Sequence, residues 1–181
     1  LAPGTVIQGR YITEAMIGSG GMAEVYRVRH QQLGTLHALK VLTLTKASVQ
    51  ERLLNEGRVQ AIVEHANVVR VTDVLSVRGA PALVMEYVRG PSLDTFCDAW
   101  PLSVDQLDAL AAGVFDGVAA AHALGVIHRD LKPSNIMLGV GATGLTPKVA
   151  DFGLVKMLFD EGLNVGARTR TGVTMGSPAY M

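Results

Sequence analysis

The chain is 181 residues long, 49% hydrophobic and 18% charged, with 16 basic side chains balanced by 16 acidic ones. That composition excludes a disordered segment, which needs low hydrophobicity and a charge imbalance, and it lacks the basic excess of a nucleic-acid or membrane-surface binder. The single cysteine, Cys97, cannot form an internal disulfide, so a reducing cytoplasm is the expected compartment.

In chain order, the first predicted elements are three strands, Tyr11 to Ile17, Glu24 to His30 and Leu36 to Leu42, in which side chains alternate between apolar and polar. Turn residues separate them, which predicts an antiparallel meander. Val49 to Glu64 spaces Leu53, Leu54, Val59, Ile62 and Val63 as a helix does. Two further strands are expected over Val68 to Val77 and Ala82 to Val88, with Arg78-Gly79-Ala80-Pro81 as the turn between them. At Gly90-Pro91-Ser92 the pattern becomes helical. Ser103 and Gln106 have capping-box spacing at the start of the main helix, Val104 to Leu124, and Gly125 sits where a terminating glycine belongs. Its apolar stretch, Ala109 to Ile127, contains Asp116 and His122, and an aspartate in the middle of a membrane helix costs roughly 2.5–3.5 kcal/mol. A buried helix of a soluble domain is therefore expected, with no membrane span in this segment. Short strands at Asn135 to Leu138 and Lys148 to Ala150 follow, joined by the loop Gly139 to Pro147. A domain boundary is expected near Val88 to Pro91.

Gly18-Ser19-Gly20-Gly21-Met22-Ala23-Glu24-Val25 is a glycine-rich turn between two strand patterns, where backbone N–H groups can approach a polyanion unobstructed. Alone it reads more simply as a glycine hairpin. A dinucleotide-binding turn would open into a helix, and here a strand follows. Lys40 lies in an otherwise apolar strand and needs an anion, for which Glu56 is a candidate. The specific strings come later: His128-Arg129-Asp130-Leu131-Lys132-Pro133-Ser134-Asn135, then Asp151-Phe152-Gly153. The remaining histidines, His30, His37, His65 and His122, show no metal-ligand spacing, and no structural metal is expected.

From about Gly9-Arg10-Tyr11 to its last residue the chain resembles the eukaryotic-type protein kinases, and among them the bacterial serine/threonine kinases. The resemblance implies an α+β, two-lobe fold. Residues 1–88 would form a small lobe of antiparallel sheet with one helix, and residues 89–181 an incomplete, mostly helical large lobe ending in the activation loop. It implies ATP and Mg2+, with Mn2+ as a substitute, and transfer of the γ-phosphate to Ser/Thr hydroxyls of protein substrates. Asp130 would take or orient the substrate proton, and Lys132 would offset the charge of the transferring group. Lys40, paired with Glu56, would hold the α- and β-phosphates, and Asn135 and Asp151 would ligate the metal. Gly18, Ser19, Gly20, Gly21, Met22 and Ala23 would cover the phosphates. Val25, Ala38 and Met137 would sandwich the adenine, with Met85 as gatekeeper and backbone groups of Glu86 and Val88 facing the base.

Three positions depart from the family pattern. Ala23 replaces the third glycine, Ala66 replaces a proline in His65-Ala66-Asn67, and Gln60 stands where an apolar residue normally meets Val71, His128 and Phe152, so it needs a hydrogen-bond partner or water. Lys132 and Ser177 resemble the serine/threonine rather than the tyrosine branch. An ATP-binding pseudokinase or scaffold is the alternative from another class, and a small-molecule phosphotransferase of similar fold is a third. The sequence opens on Leu1 and stops at Tyr180-Met181, where family domains continue into further helices, so it reads as a piece of a longer protein. That protein could carry a membrane anchor elsewhere. Alone, the 181 residues are expected to be poorly soluble or inactive, with an apolar stripe of Val104 to Leu124 exposed. Thr169 and Thr171 are expected sites of activating phosphorylation, with Arg129 as the partner of the phosphate, and dimerisation would allow autophosphorylation in trans.

Overall fold

The computed structural model describes residues 1–20, 23–43, 61–141 and 144–152. The helix expected over Val49 to Glu64 falls mostly outside them, as do Gly21, Met22, Glu56, Gln60, Gly153, Thr169, Thr171 and Ser177. The chain divides into two compact units, the first made of residues 1–62 and 70–87 and the second of residues 63–69 and 88–181.

In the first unit the alternating patterns become strands: β1 (Val6–Ile7), β2 (Tyr11–Ser19), β3 (Ala23–His30), β4 (Leu36–Leu42), β5 (Val71–Val77) and β6 (Ala80–Glu86). They form one antiparallel sheet in the order β1-β2-β3-β4-β6-β5. Because successive side chains point to opposite faces, Tyr26 and Val28 of β3, Leu39 and Val41 of β4, and Ala82 and Val84 of β6 share one face. They bury it together with Leu75 and Val77. The other face carries Val25, Ala38, Lys40 and Met85, as the register Val25↔Lys40 and Ala38↔Met85 requires.

Two details correct the sequence reading here. The turn between β5 and β6 is Arg78-Gly79 alone, both at positive φ (52° and 81°), as a two-residue hairpin turn of the primed type demands. Ala80 and Pro81 belong to the strand, opposite Val77 and Ser76. Proline is tolerated because β4 pairs with β6 only from Ala82 onward, leaving no ladder partner waiting for a missing N–H. The strand expected from Val68 starts only at Val71, because Val68 instead bridges Val149 in the second unit.

The second unit contains α1 (Leu93–Ala99), α2 (Val104–Ala123), a short 3-10 turn (Pro133–Asn135) and the hairpin β7 (Ile136–Gly141) with β8 (Gly144–Val149). The capping box of α2 forms as expected: Gln106 N–H donates to Ser103 Oγ at 3.3 Å, and Ser103 N–H donates to Gln106 Oε1 at 3.0 Å. Gly125, at φ 75°, ends the helix in the left-handed conformation. Leu110, Val114, Gly117 and Ala121 form its buried stripe and pack with Val68, Val126, Ile136, Leu138, Val149 and Phe152. Outside this stripe Val104, Leu107 and Phe115 are exposed, in line with the apolar stripe expected to be exposed on this helix. β7 and β8 also reach further than their sequence suggested. Gly139, Gly141, Gly144 and Pro147 read as loop residues, yet they pair across the hairpin in the register Gly139↔Thr146 and Leu138↔Pro147. No helix among the described residues is long and apolar enough to cross a membrane.

Candidate active site

In the first unit the functional side chains are placed by sheet register. The glycine-rich segment closes the β2–β3 hairpin, with Gly18 opposite Val25, Ser19 opposite Glu24, and Gly20 N–H donating to Ala23 O at 2.9 Å. Among the described residues, a Cβ added at Gly20 would meet only Ala23 O, at 4.0 Å. Packing against the described residues therefore does not require glycine there. Lys40 sits across from Val25 on one side and Leu83 on the other, and Ala38 sits across from Met85. Val25, Ala38, Lys40 and Met85 thus share a face, with Ala38 and Met85 buried. Beyond them Arg27 bridges to Glu14 at 2.8 Å, and its guanidinium lies 6.0 Å from the centre of the Tyr87 ring. Glu86 N–H donates to Arg70 O at 2.8 Å, so this backbone group of the segment expected to face adenine already has a partner.

In the second unit side-chain hydrogen bonds, rather than register, hold the site. Lys132 Nζ lies 2.8 Å from Asp130 Oδ2. Asn135 Nδ2 donates to Asp130 O at 2.8 Å and reaches Asp130 Oδ2 at 3.4 Å, and Asn135 O accepts Ala150 N–H at 2.8 Å. The loop bearing Asp130 and Lys132 is thereby tied to the residue just before Asp151. His128 completes the tie. Asp130 N–H donates to His128 Nδ1 at 3.3 Å, so the ring proton resides on Nε2, which donates to Ala150 O at 2.7 Å. The ring is 3% exposed and lies 4.7 Å from the Phe152 ring. Burial pushes its pKa below 6.5, against the opposing pull of the Ala150 carbonyl and of Asp151 and Asp130.

Arg129 and Asp151 are both non-glycine residues at positive φ, 67° and 64°. Each such residue costs about 1–3 kcal/mol and persists only where its surroundings fix it. Here the surroundings are the bonds to His128, Asn135 and Ala150. Asn135 turns its amide nitrogen toward Asp130, and the donors it and Asp151 offer are an amide oxygen and a carboxylate. An all-oxygen set of this kind suits a hard cation such as magnesium.

The site residues of the sequence reading thus fall into two groups. Val25, Ala38, Lys40 and Met85 come together in the first unit, alongside Gly18, Ser19, Gly20, Ala23 and Glu86. Asp130, Lys132, Asn135 and Asp151 come together in the second, with Met137 opposite Lys148 in the β7–β8 ladder and bridged to Ser92. Val88 is buried in that unit. The sequence reading gave His128 no role of its own, although it stands in the motif that decided the family.

Comparison with known proteins agrees with this geometry. The protein kinase domain family matches residues 11–181. This chain belongs to that family. It is 35% identical over 185 residues to the serine/threonine-protein kinase pkn2 of Myxococcus xanthus, covering 100% of this chain and 22% of that protein. The DNA damage-responsive serine/threonine-protein kinase RqkA of Deinococcus radiodurans is 38% identical over 187 residues, again 100% of this chain and 27% of the other. The crystal structure of the Mycobacterium tuberculosis PknI kinase domain superposes with a TM-score of 0.72 at 31% identity, covering 85% of this chain and 63% of that one. The fold is accordingly that of a protein kinase domain. The chain spans about a quarter to a third of the length of the curated kinases it matches.

Proposed function

We propose that this chain is the catalytic core of a bacterial serine/threonine protein kinase, which transfers the γ-phosphoryl group of Mg-ATP to Ser or Thr hydroxyls of proteins. The two compact units, residues 1–62 with 70–87 and residues 63–69 with 88–181, are read as its small and large lobes, working in the cytoplasm on signalling substrates. The observation that carries the reading is the Asp130–Lys132–Asn135 arrangement tied through His128 and Ala150 to Asp151. It brings a proton acceptor and a cation within 2.8 Å of each other on one fixed loop.

In the proposed reaction the Asp130 carboxylate accepts the proton as the substrate O–H bond breaks. The hydroxyl oxygen bonds to the γ-phosphorus, and the bond from that phosphorus to the β,γ-bridging oxygen breaks, leaving ADP. Lys132 faces the charge on the transferring oxygens, and Lys40, paired with Glu56, orients the α- and β-phosphates. Glycines 18, 20 and 21, with Ser19, Met22 and Ala23, cover the phosphates. Val25, Ala38 and Met137 take the faces of the adenine, Met85 limits the space behind it, and Glu86 and Val88 offer backbone groups to its edge. Asn135 and Asp151 would hold magnesium, which supplies neutralising charge to the phosphate oxygens.

Labelled ATP with a generic basic protein tests the reading on the full-length protein. Phosphoserine or phosphothreonine that disappears in Asp130→Asn supports it. ATP binding without transfer in the wild type would make the protein a pseudokinase. Regulation belongs to the same proposal: Thr169 and Thr171 stand among Arg168 and Arg170 in a hydroxyl-rich stretch, and a phosphate there could pair bidentately with Arg129. Mass spectrometry of active protein should find phosphate on one of the two threonines, and replacing both with alanine should lower activity several-fold. Full activity in the double variant overturns that part alone.

A further inference from the structure

Residues 63–69 precede β5 in the chain, yet they pack in the second unit, not with the sheet that β5 joins. Asn67 is their anchor. Its carbonyl accepts Val149 N–H at 2.8 Å, its Nδ2 donates to Pro147 O at 2.8 Å, and Val69 N–H donates to Val149 O at 2.8 Å. The segment thus lies along β8 as a partial third strand, with Val68 and Val149 bridged in parallel. A two-stranded ribbon is marginal alone, so this edge contact matters for where β8 ends.

Helix α2 makes room for it. Gly113 and Gly117 are one turn apart on the same helix face. A Cβ at Gly117 would come within 2.6 Å of Asn67 O, a backbone atom, and one at Gly113 within 2.8 Å of Asn67 Nδ2 and 2.7 Å of Pro147 Cγ. Neither glycine has a positive φ. Close approach, not backbone conformation, accounts for both.

β8 ends at Val149, two residues before Asp151. Ala150 is gripped at its N–H by Asn135 and at its carbonyl by His128. Asn67 grips the preceding stretch at Pro147 and Val149, and Lys148 between them pairs with Met137 of β7, so the backbone leading to the left-handed Asp151 is held from Pro147 to Ala150. We propose that Asn67, seated in the notch left by Gly113 and Gly117, is a positioning residue for Asp151. It sets the end of β8, and with it the place from which the Asp151 carboxylate meets a divalent cation. The inference rests on reading Asp151 as a magnesium ligand, and it assigns a role to residues far from the phosphate-binding strings.

The test uses the full-length protein and measures ATP affinity by calorimetry with and without Mg2+, which needs no turnover. In Asn67→Ala and Gly117→Ala the gain in affinity that Mg2+ brings should shrink by about 10-fold or more, as loss of groups that orient metal ligands does. Gly113→Ala should show the same change more weakly, because the atoms it meets are a side-chain amide and a ring that can shift. Ala119→Gly, on the exposed side of α2, weakens the helix without touching Asn67 and should keep the wild-type gain. Hydrogen exchange at the Val149 amide should quicken in the first two variants and not in Ala119→Gly. An unchanged Mg2+ gain in folded Asn67→Ala overturns the proposal, and should that variant not fold, an unchanged gain in Gly113→Ala and Gly117→Ala does so. If the wild type binds ATP with a Mg2+ gain that these variants lose but never transfers phosphate, the kinase reading fails while the positioning role stands.

Discussion

The two groups of site residues are held in place by different means. In the first unit Val25, Ala38, Lys40 and Met85 are placed by the β3–β4–β6 register, so a ladder of backbone bonds fixes their Cβ positions whatever the side chains are. In the second unit Asp130, Lys132 and Asn135 lie on a loop and a short 3-10 turn, and their placement depends on the side chains of His128 and Asn135 and on two left-handed non-glycine residues. A ladder tolerates side-chain change and punishes a register slip, while a bonded loop does the reverse. Substitution of His128 or Asn135 should therefore disturb its neighbours' geometry as well as remove a group.

The largest expected effect separates chemistry from placement. Asp130→Asn keeps the backbone carbonyl that Asn135 Nδ2 bonds at 2.8 Å, so the loop should persist and the melting temperature should move little. Turnover should nevertheless fall by about 10²–10⁴-fold, the usual contribution of a general base. Lys40→Met, on the ladder, should leave the sheet equally intact and lower turnover by about 10²–10³-fold through loss of charge at the phosphates. Were either variant to lose its cooperative melt, the division between a ladder-held and a loop-held half would be wrong for that residue.

A smaller effect sharpens the contrast between two glycines. Gly125 ends α2 at φ 75° with open space around it, so Gly125→Ala should cost about 1–2 kcal/mol of stability from backbone strain alone. It should leave ATP affinity unchanged. Gly20 is neither left-handed nor crowded, so Gly20→Ala should leave the melting temperature unchanged and weaken ATP binding instead. Thermal melts paired with ATP titration read both outcomes, and a Gly20→Ala protein that binds ATP normally would remove the phosphate-covering role from that residue.

The same division explains what was legible in the sequence. Period-two alternation predicted β2, β3 and β4 nearly to their ends, because the buried face of the sheet is an i, i+2 pattern that needs no knowledge of distant residues. Ser103, Gln106 and Gly125 marked both ends of α2 because caps are local chemistry. The β7–β8 hairpin was underestimated because Gly139, Gly141, Gly144 and Pro147 are turn formers by propensity, and only their partners across the ribbon make them strand. Val68 was misassigned for a related reason. Its apolar run with Val69 and Val71 continues smoothly into β5, and nothing local reveals that Val149 of the second unit is its partner. For the site, the motif strings delivered Asp130, Lys132, Asn135 and Asp151 together. The bonds from His128 to Ala150 and from Asn67 to Pro147 join residues 22 and 80 positions apart, and such pairings have no periodic signature.

The smallest predicted effect tests the loop-held half through protonation. His128 accepts from Asp130 N–H at Nδ1 and donates from Nε2 to Ala150 O, so the neutral ring makes both bonds. A second proton on Nδ1 would turn that acceptor into a donor facing another donor. Burial opposes the charge as well, and it holds the folded-state pKa below 6.5 against the raising pull of the Ala150 carbonyl and of Asp151 and Asp130. Between 6.5 and that lower value the unfolded chain binds a proton that the folded chain does not, so the contribution of His128 is fully present above 6.5 and is lost as pH falls below it. The slope is at most about 1.4 kcal/mol per pH unit. In His128→Asn, which cannot take up the proton, this part of the acid sensitivity should vanish even if the variant is less stable overall. Equilibrium unfolding of both proteins from pH 7.5 down to pH 5, as about the range histidine titration spans, reads the difference in slope. Parallel curves would mean that the neutral ring is not what holds the loop to Ala150, and the contrast between a ladder-held and a loop-held half would then rest on Asn135 alone.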